Sequence, residues 1–284
     1  VLKETPGVDV VGTANNGKIA LSKIASLKPD LITLDIEMPE VNGIEVLQAL
    51  KEQSNPPVVI MLSTLTQQGS EMTIKALELG AFDFVPKPSE GKMAENMQKV
   101  RDAILPILDA LKRQKQTKLK IRERIKSKSP TSKKIAKKIP PKTIQKSDIS
   151  SKSEIIGIGI STGGPNALTK MVPMLPADIK ASILIVQHMP PMFTASLANS
   201  LNNKSQIEVK EAQNGDTITP GRILIAPGGK QMKIIAGADG LTRKIKITDD
   251  PPENSCKPSV DYLFRSIAQH YVGRSTGVIM TGMG

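Results

Sequence analysis

Ile155-Ile156-Gly157-Ile158-Gly159-Ile160-Ser161-Thr162-Gly163-Gly164-Pro165 is a short apolar run that stops at a serine and two glycines, with helical spacing from Asn166 onward. Strand, glycine turn and helix form the repeating unit of doubly wound α/β domains. Such turns serve two chemistries. In one, glycines let a dinucleotide pyrophosphate approach a helix N-terminus. In the other, small neighbours leave a serine exposed where free N–H groups and the helix dipole favour an oxyanion. Gly159-Ile160-Ser161-Thr162-Gly163 fits G-x-S-x-G, and glycines 157, 159 and 163 fit a loosened phosphate fingerprint.

Histidine separates the two readings, because the chain has only two. His188 ends the next apolar run, Ser182 to Gln187, so parallel neighbouring strands would bring it to the same sheet edge as Ser161. A serine needs such a base to become nucleophilic, whereas a dinucleotide site wants an acid at that strand end. The hydrolase reading gains, and a dinucleotide-dependent enzyme remains the weaker competitor. His270, in S-I-A-Q-H-Y, fits the last turn of a helix and reads as structural. Cys256, in the turn-rich N-S-C-K-P, has no histidine near it in sequence and reads as a bystander. Gln231 to Ile247, two alternating runs around Gly237-Ala238-Asp239-Gly240, reads as a scaffold hairpin.

Working back toward Val1, β-branched runs again alternate with helical patterns. Strands are expected at Asp9–Ala14, Asp30–Asp35, Val58–Ser63 and Asp83–Lys87, and helices at Lys18–Leu27, Gly43–Gln53 and Gln67–Leu79. A last helix carries Met93, Met97, Val100, Ile104 and Leu108 on one face, with Pro106 expected to break or kink it. Ligands of such sheets bind beyond the strand carboxyl ends. There the chain places Asp35, Ser63 and Lys87: a carboxylate nucleophile, a hydroxyl donor and a cation, the parts an aspartyl phosphate needs.

At 284 residues the chain suits two α/β domains. The expected division is residues 1–111, a linker over 112–153, and residues 154–284. The net charge of +12 is concentrated in the linker: Lys112 to Lys152 hold 16 Lys or Arg against Glu123 and Asp148, leaving the rest of the chain at −2. A Lys/Ser/Pro-rich stretch with little apolar periodicity reads as a solvated spacer, with a typical span of roughly 5–6 Å × √41, about 35 Å. A phosphoryl-accepting first domain with a nucleic-acid-binding output would need a helix-turn-helix or similar reader, and none follows Lys152. Aromatics at 2% and the absence of Trp argue against stacking on single strands. One cysteine favours a reducing compartment, with the cytoplasm as default, and no apolar run reaches a transmembrane length.

Asp35-Ile36-Glu37-Met38-Pro39 with Gly43, and A-L-E-L-G-A-F-D-F-V-P-K-P from Ala76 to Pro88, resemble the receiver domains of two-component systems, which have a flavodoxin-like fold. That resemblance implies Asp35 as phosphoacceptor, Ser63 as switch hydroxyl and Lys87 as phosphate-binding cation. It implies a Mg²⁺ site made by Asp35, the Glu37 backbone carbonyl and an acidic pair expected before Val1. S-T-G-G-P, Q-H-M-P-P, I-A-P-G-G, K-P-S-V-D-Y-L-F and T-G-M-G resemble the Rossmann-like catalytic domain of the chemotaxis protein-glutamate methylesterases. The family implies Ser161 as nucleophile, His188 as base and then acid, Thr162 as a neighbouring hydrogen-bonding residue and the Met283 N–H in the oxyanion hole. The third triad member, an aspartate, is expected two residues beyond Gly284, so the chain reads as cut at both ends. Methyl-accepting chemoreceptors are the implied substrates, a chemotaxis histidine kinase the implied phosphodonor, and the esterase step needs no cofactor. Some members of the family also deamidate receptor glutamines.

Overall fold

The computed structural model describes residues 1–88, 90–126 and 153–282. Its first half alternates α1 (Gly17–Leu27), β1 (Leu31–Asp35), α2 (Gly43–Lys51), β2 (Val58–Ser63), α3 (Gln67–Glu78), β3 (Asp83–Pro86) and α4 (Met93–Lys126). Local chemistry fixes the helix starts. The Asn16 side chain accepts the Ile19 N–H, Asn42 and Glu45 form a reciprocal capping box, and Thr66 accepts the Gly69 N–H. The strands are parallel in the order β1-β2-β3. Strand alternation then sorts the core: Val59 and Met61 face Ile44, Leu47 and Ile74 on one side, while Ile60 and Val85 meet Ile104, Ile107 and Leu108 of α4 on the other.

One expectation fails here, and of the two alternatives for Pro106 the break fails. Asp9–Ala14 is not a strand, although its pattern alternates: extended backbone becomes a strand only with a ladder partner, and the described sheet gives it none. Nor does Pro106 end α4, which continues through it and past Leu111 to Lys126. Burial of Ile104, Ile107 and Leu108 around the proline holds the turn that its missing N–H weakens. The first residues of the expected linker are therefore helical, and residues 127–152 of it lie outside those described.

The second half contains β4 (Ile155–Ile160), α5 (Gly164–Met171), β5 (Ser182–Gln187), α6 (Phe193–Asn202), β6 (Glu208–Glu211), β7 (Arg222–Ile225), β8 (Gln231–Ala236), β9 (Arg243–Thr248), α7 (Val260–His270) and β10 (Ser275–Ile279). Five strands form a parallel sheet in the order β10-β4-β5-β7-β6, and β8 and β9 make the expected antiparallel hairpin. The glycines of β4 have a packing role. A Cβ on Gly157 would come within 2.6 Å of Ile267 Cδ1, and one on Gly159 within 2.5 Å of Val260 Cγ1. They let α7 lie close on the sheet, which removes the main support for a dinucleotide fingerprint.

The two halves pack against each other through α3, α5 and α6. Ser70 and Ser196 hydroxyls meet at 2.7 Å, both buried, and Glu78 takes Lys204 Nζ at 2.5 Å together with the Ser200 hydroxyl. The Phe84 and Phe193 rings stack with centroids 4.5 Å apart. Asn166 Nδ2 donates to the Ala81 carbonyl at 2.6 Å, and the Gly163 N–H donates to the Asp83 carboxylate at 3.1 Å. The contact thus reaches the glycine turn that follows Ser161.

Candidate active site and phosphoacceptor site

Parallel pairing of β4 and β5 sets Ile160 beside Gln187, so the next residues of the two strands, Ser161 and His188, emerge together. Ser161 Oγ lies 3.3 Å from His188 Nδ1. Burial pushes the His188 pKa below its ordinary value, which keeps the ring neutral and able to accept a proton. Its Nε2 is buried with no hydrogen-bond partner among the described residues. The turn is held from the far side by Thr281: its carbonyl accepts the Ser161 N–H at 2.9 Å and its hydroxyl donates to the Thr162 carbonyl at 3.0 Å. Thr162 thus joins the turn's hydrogen-bond frame through its backbone carbonyl, while Met283 lies outside the described residues.

Cys256 is where sequence proximity misleads. The loop before α7 folds back over the site and places Sγ 3.6 Å from His188 Nδ1, across 68 residues of sequence. Burial, with Asp261 adding to it, pushes the thiol pKa up, so it stays protonated and a poor nucleophile. His270 closes α7 as expected.

Asp83 is a residue that sequence reading missed, since nothing local marks the first residue of a strand. Burial pushes its pKa up to about 6, against the pull of the Phe84 and Gly163 N–H donors. The carboxylate faces the second half, where it accepts the Gly163 N–H.

In the first half, Asp35, Ser63 and Lys87 do converge at the strand ends. Lys87 Nζ lies 2.5 Å from Asp35 Oδ2, and Asp35 Oδ1 takes the Glu37 N–H at 3.3 Å. Ser63 shares the edge, but its hydroxyl faces α3: it meets Thr73 Oγ1 at 2.6 Å and donates toward the Gly69 carbonyl at 3.1 Å. Asp35, Glu37, Asn42 and Thr64 help line a cleft of about 430 Å³. The Asp35 carboxylate and the Glu37 carbonyl offer the hard oxygen donors that Mg²⁺ takes. Among the described residues no group of three His, Cys, Asp or Glu forms a metal cluster by itself.

Family comparison matches residues 1–99 to the response regulator receiver domain and residues 156–284 to CheB methylesterase. The chain is 56% identical over 284 residues to a protein-glutamate methylesterase/protein-glutamine glutaminase of Desulfotalea psychrophila, covering 100% of this chain and 78% of that one. The protein of the same name in Bacillus subtilis is 42% identical over 292 residues, with 100% and 77% covered. Among solved structures, the CheB methylesterase catalytic domain of Thermotoga maritima is 38% identical, covering 47% of this chain and 69% of that one with a TM-score of 0.45. Full-length identity at this level, with both domain models matched in order, means that the chain belongs to the CheB family, in which a receiver precedes a methylesterase domain.

Proposed function

We propose that the protein is a phosphorylation-activated protein-glutamate methylesterase acting on chemoreceptors in bacterial chemotaxis. The contact between Ser161 Oγ and His188 Nδ1 at adjoining parallel strand ends carries this reading. Ser161 attacks the γ-carbonyl carbon of a glutamyl methyl ester while His188 takes the hydroxyl proton. Collapse of the tetrahedral intermediate breaks the bond to the methoxy group, which leaves as methanol with the proton from His188. Water, deprotonated by His188, then attacks the acyl-serine, and the free carboxyl and Ser161 are restored. With a glutamine substrate the same steps release ammonia. The N–H of Met283 is the expected oxyanion donor, with Thr162 supporting the turn. The buried Nε2 of His188 is the position where the aspartate expected beyond Gly284 would orient the ring.

Asp35 accepts the phosphoryl group from a chemotaxis histidine kinase, Lys87 neutralises its oxygens, and Ser63 turns from α3 toward it. Asp35 and the Glu37 carbonyl would hold the magnesium ion of this step, which supplies charge neutralisation for the incoming phosphoryl group. Before phosphorylation the first half stays docked on α5 and α6, with Asp83 on the nucleophile turn. Among the described residues no helix is long and apolar enough to cross a membrane, and we place the protein in the cytoplasm beside receptor tails. The test is methanol release from methylated receptors by the intact protein, with and without a small phosphodonor. Release that increases with phosphodonor is expected; a protein that liberates no methanol in either state overturns the reading.

A further inference from the structure

Gln187 precedes the base, and in the sequence it marks only the end of a strand. In the fold it is 2% exposed, and its side chain turns back across the site. Nε2 lies 3.0 Å from the Ser161 carbonyl and 3.3 Å from the His188 carbonyl. Both neighbours are acceptors only, so the amide must present its NH₂ end to them, one N–H for each. The backbone ladder between the strands reaches its last rung at the His188 N–H to Ile160 carbonyl bond of 3.2 Å. Beyond that rung, nucleophile and base stand on two separate turns, and the Gln187 amide bridges them.

The same amide fixes the start of α5. A Cβ on Gly164 would lie 1.8 Å from Gln187 Oε1, and the three nearest atoms it would meet all belong to Gln187. Oε1 itself is buried without a hydrogen-bond partner among the described residues. A buried amide with one end unsatisfied is less stable than an apolar side chain of the same length. Stability therefore does not account for glutamine at this position, whereas the pair of donated hydrogen bonds does.

We propose that Gln187 is a positioning residue for ester hydrolysis: one amide ties the Ser161 and His188 backbones together and sets the reach between Oγ and Nδ1. The inference rests on Ser161 and His188 being nucleophile and base. It predicts that Gln187→Met, which keeps length and bulk but has no donors, lowers kcat by roughly ten- to a hundredfold, the usual cost of a small misplacement at a reacting pair. KM and melting temperature stay near those of the unsubstituted protein. Titration with a serine-reactive phosphonate finds every site present but reacting more slowly. Gly164→Ala, which pushes on the same amide, reproduces the loss, yet adds little when made together with Gln187→Ala because the three nearest atoms it would meet have gone. The assays use the intact protein activated with phosphodonor, and Ser161→Ala runs beside them. If Ser161→Ala is inactive while Gln187→Met retains kcat within twofold, the positioning role is wrong and the hydrolase reading survives. Additive losses for Gly164→Ala and Gln187→Ala overturn it equally, and that cycle still decides should Gln187→Met fold poorly. Undiminished activity of Ser161→Ala instead defeats the underlying assignment.

Discussion

The two reactive centres of this molecule are built on the same topological position, the carboxyl edge of a parallel sheet, and solve opposite electrostatic problems. Asp35 and Lys87 keep about a third of their side-chain surface in solvent, 32% and 35%. An ion pair that exposed contributes little net stability, roughly 0–1 kcal/mol, so it yields readily to an incoming phosphoryl group. Ser161 and His188 are half-buried, and the cost of charging the ring there keeps the base neutral. In the proposed roles, one edge gains charge from a phosphodonor and the other avoids it until a substrate arrives. The difference teaches that the fold supplies the place, and local burial decides which chemistry the place can run.

The sharpest way to break this comparison is to remove the nucleophile. Ser161→Ala should lower methanol release by roughly 10⁴-fold or more, because members of such a constellation act as a unit, while phosphodonor labelling of Asp35 continues unchanged. Retained hydrolysis would show that the buried edge does no chemistry. The complementary substitution, Asp35→Asn, should abolish labelling, since an amide cannot form an acyl phosphate. Phosphodonor stimulation should vanish and unstimulated hydrolysis should remain. A labelled Asp35→Asn protein would move the phosphoacceptor elsewhere.

Acid sharpens the contrast by about tenfold per pH unit. Only neutral His188 can serve as base, and its pKa lies below the ordinary 6.5. The kcat/KM of the activated protein should therefore be flat at neutral pH and fall in inverse proportion to proton concentration only below the ordinary histidine value. A profile bending above pH 7 contradicts a desolvated base.

The smallest effect concerns the contact between the halves. Docked Asp83 has its pKa pushed up to about 6 by burial, facing the N–H groups of Phe84 and Gly163. A separated first half would return it toward 3.8. The docked form then holds the proton more tightly, so docking takes one up: the contact gains stability as pH falls and loses it as pH rises through about 6. The ratio of unstimulated to phosphodonor-stimulated rates, in which His188 cancels, should be lower at pH 5.5 than at pH 7.5 by a few-fold, on the order of one pKa unit's worth of linkage. Asp83→Asn should flatten it. A ratio with no pH dependence in the unsubstituted protein would mean that the first half buries Asp83 by itself.

Much of the site was legible because its signals are local. The glycine turn after Ile160 needs a strand before it and a helix after it, and both can be read from a dozen residues. Asp35, Ser63 and Lys87 each end an apolar run, so the rule that sheets bind ligands at their carboxyl edge finds them without coordinates. Asp9–Ala14 and Pro106 misled for the converse reason. A strand depends on a partner elsewhere, and a proline's cost is offset by burial on neighbouring turns.

The sequence by itself determined the two α/β halves, the order of most of their elements, and Ser161 and Asp35 as the candidates for nucleophile and phosphoacceptor, since periodicity and turn chemistry act over a few residues. Tertiary structure alone decided which distant groups meet: Cys256 against His188, Asp83 on the Gly163 N–H, Ser70 against Ser196, and the Gln187 amide lying over Gly164. Those contacts depend on how sheets stack and helices cross, and close packing fixes them to tenths of an ångström only once the whole chain has been placed.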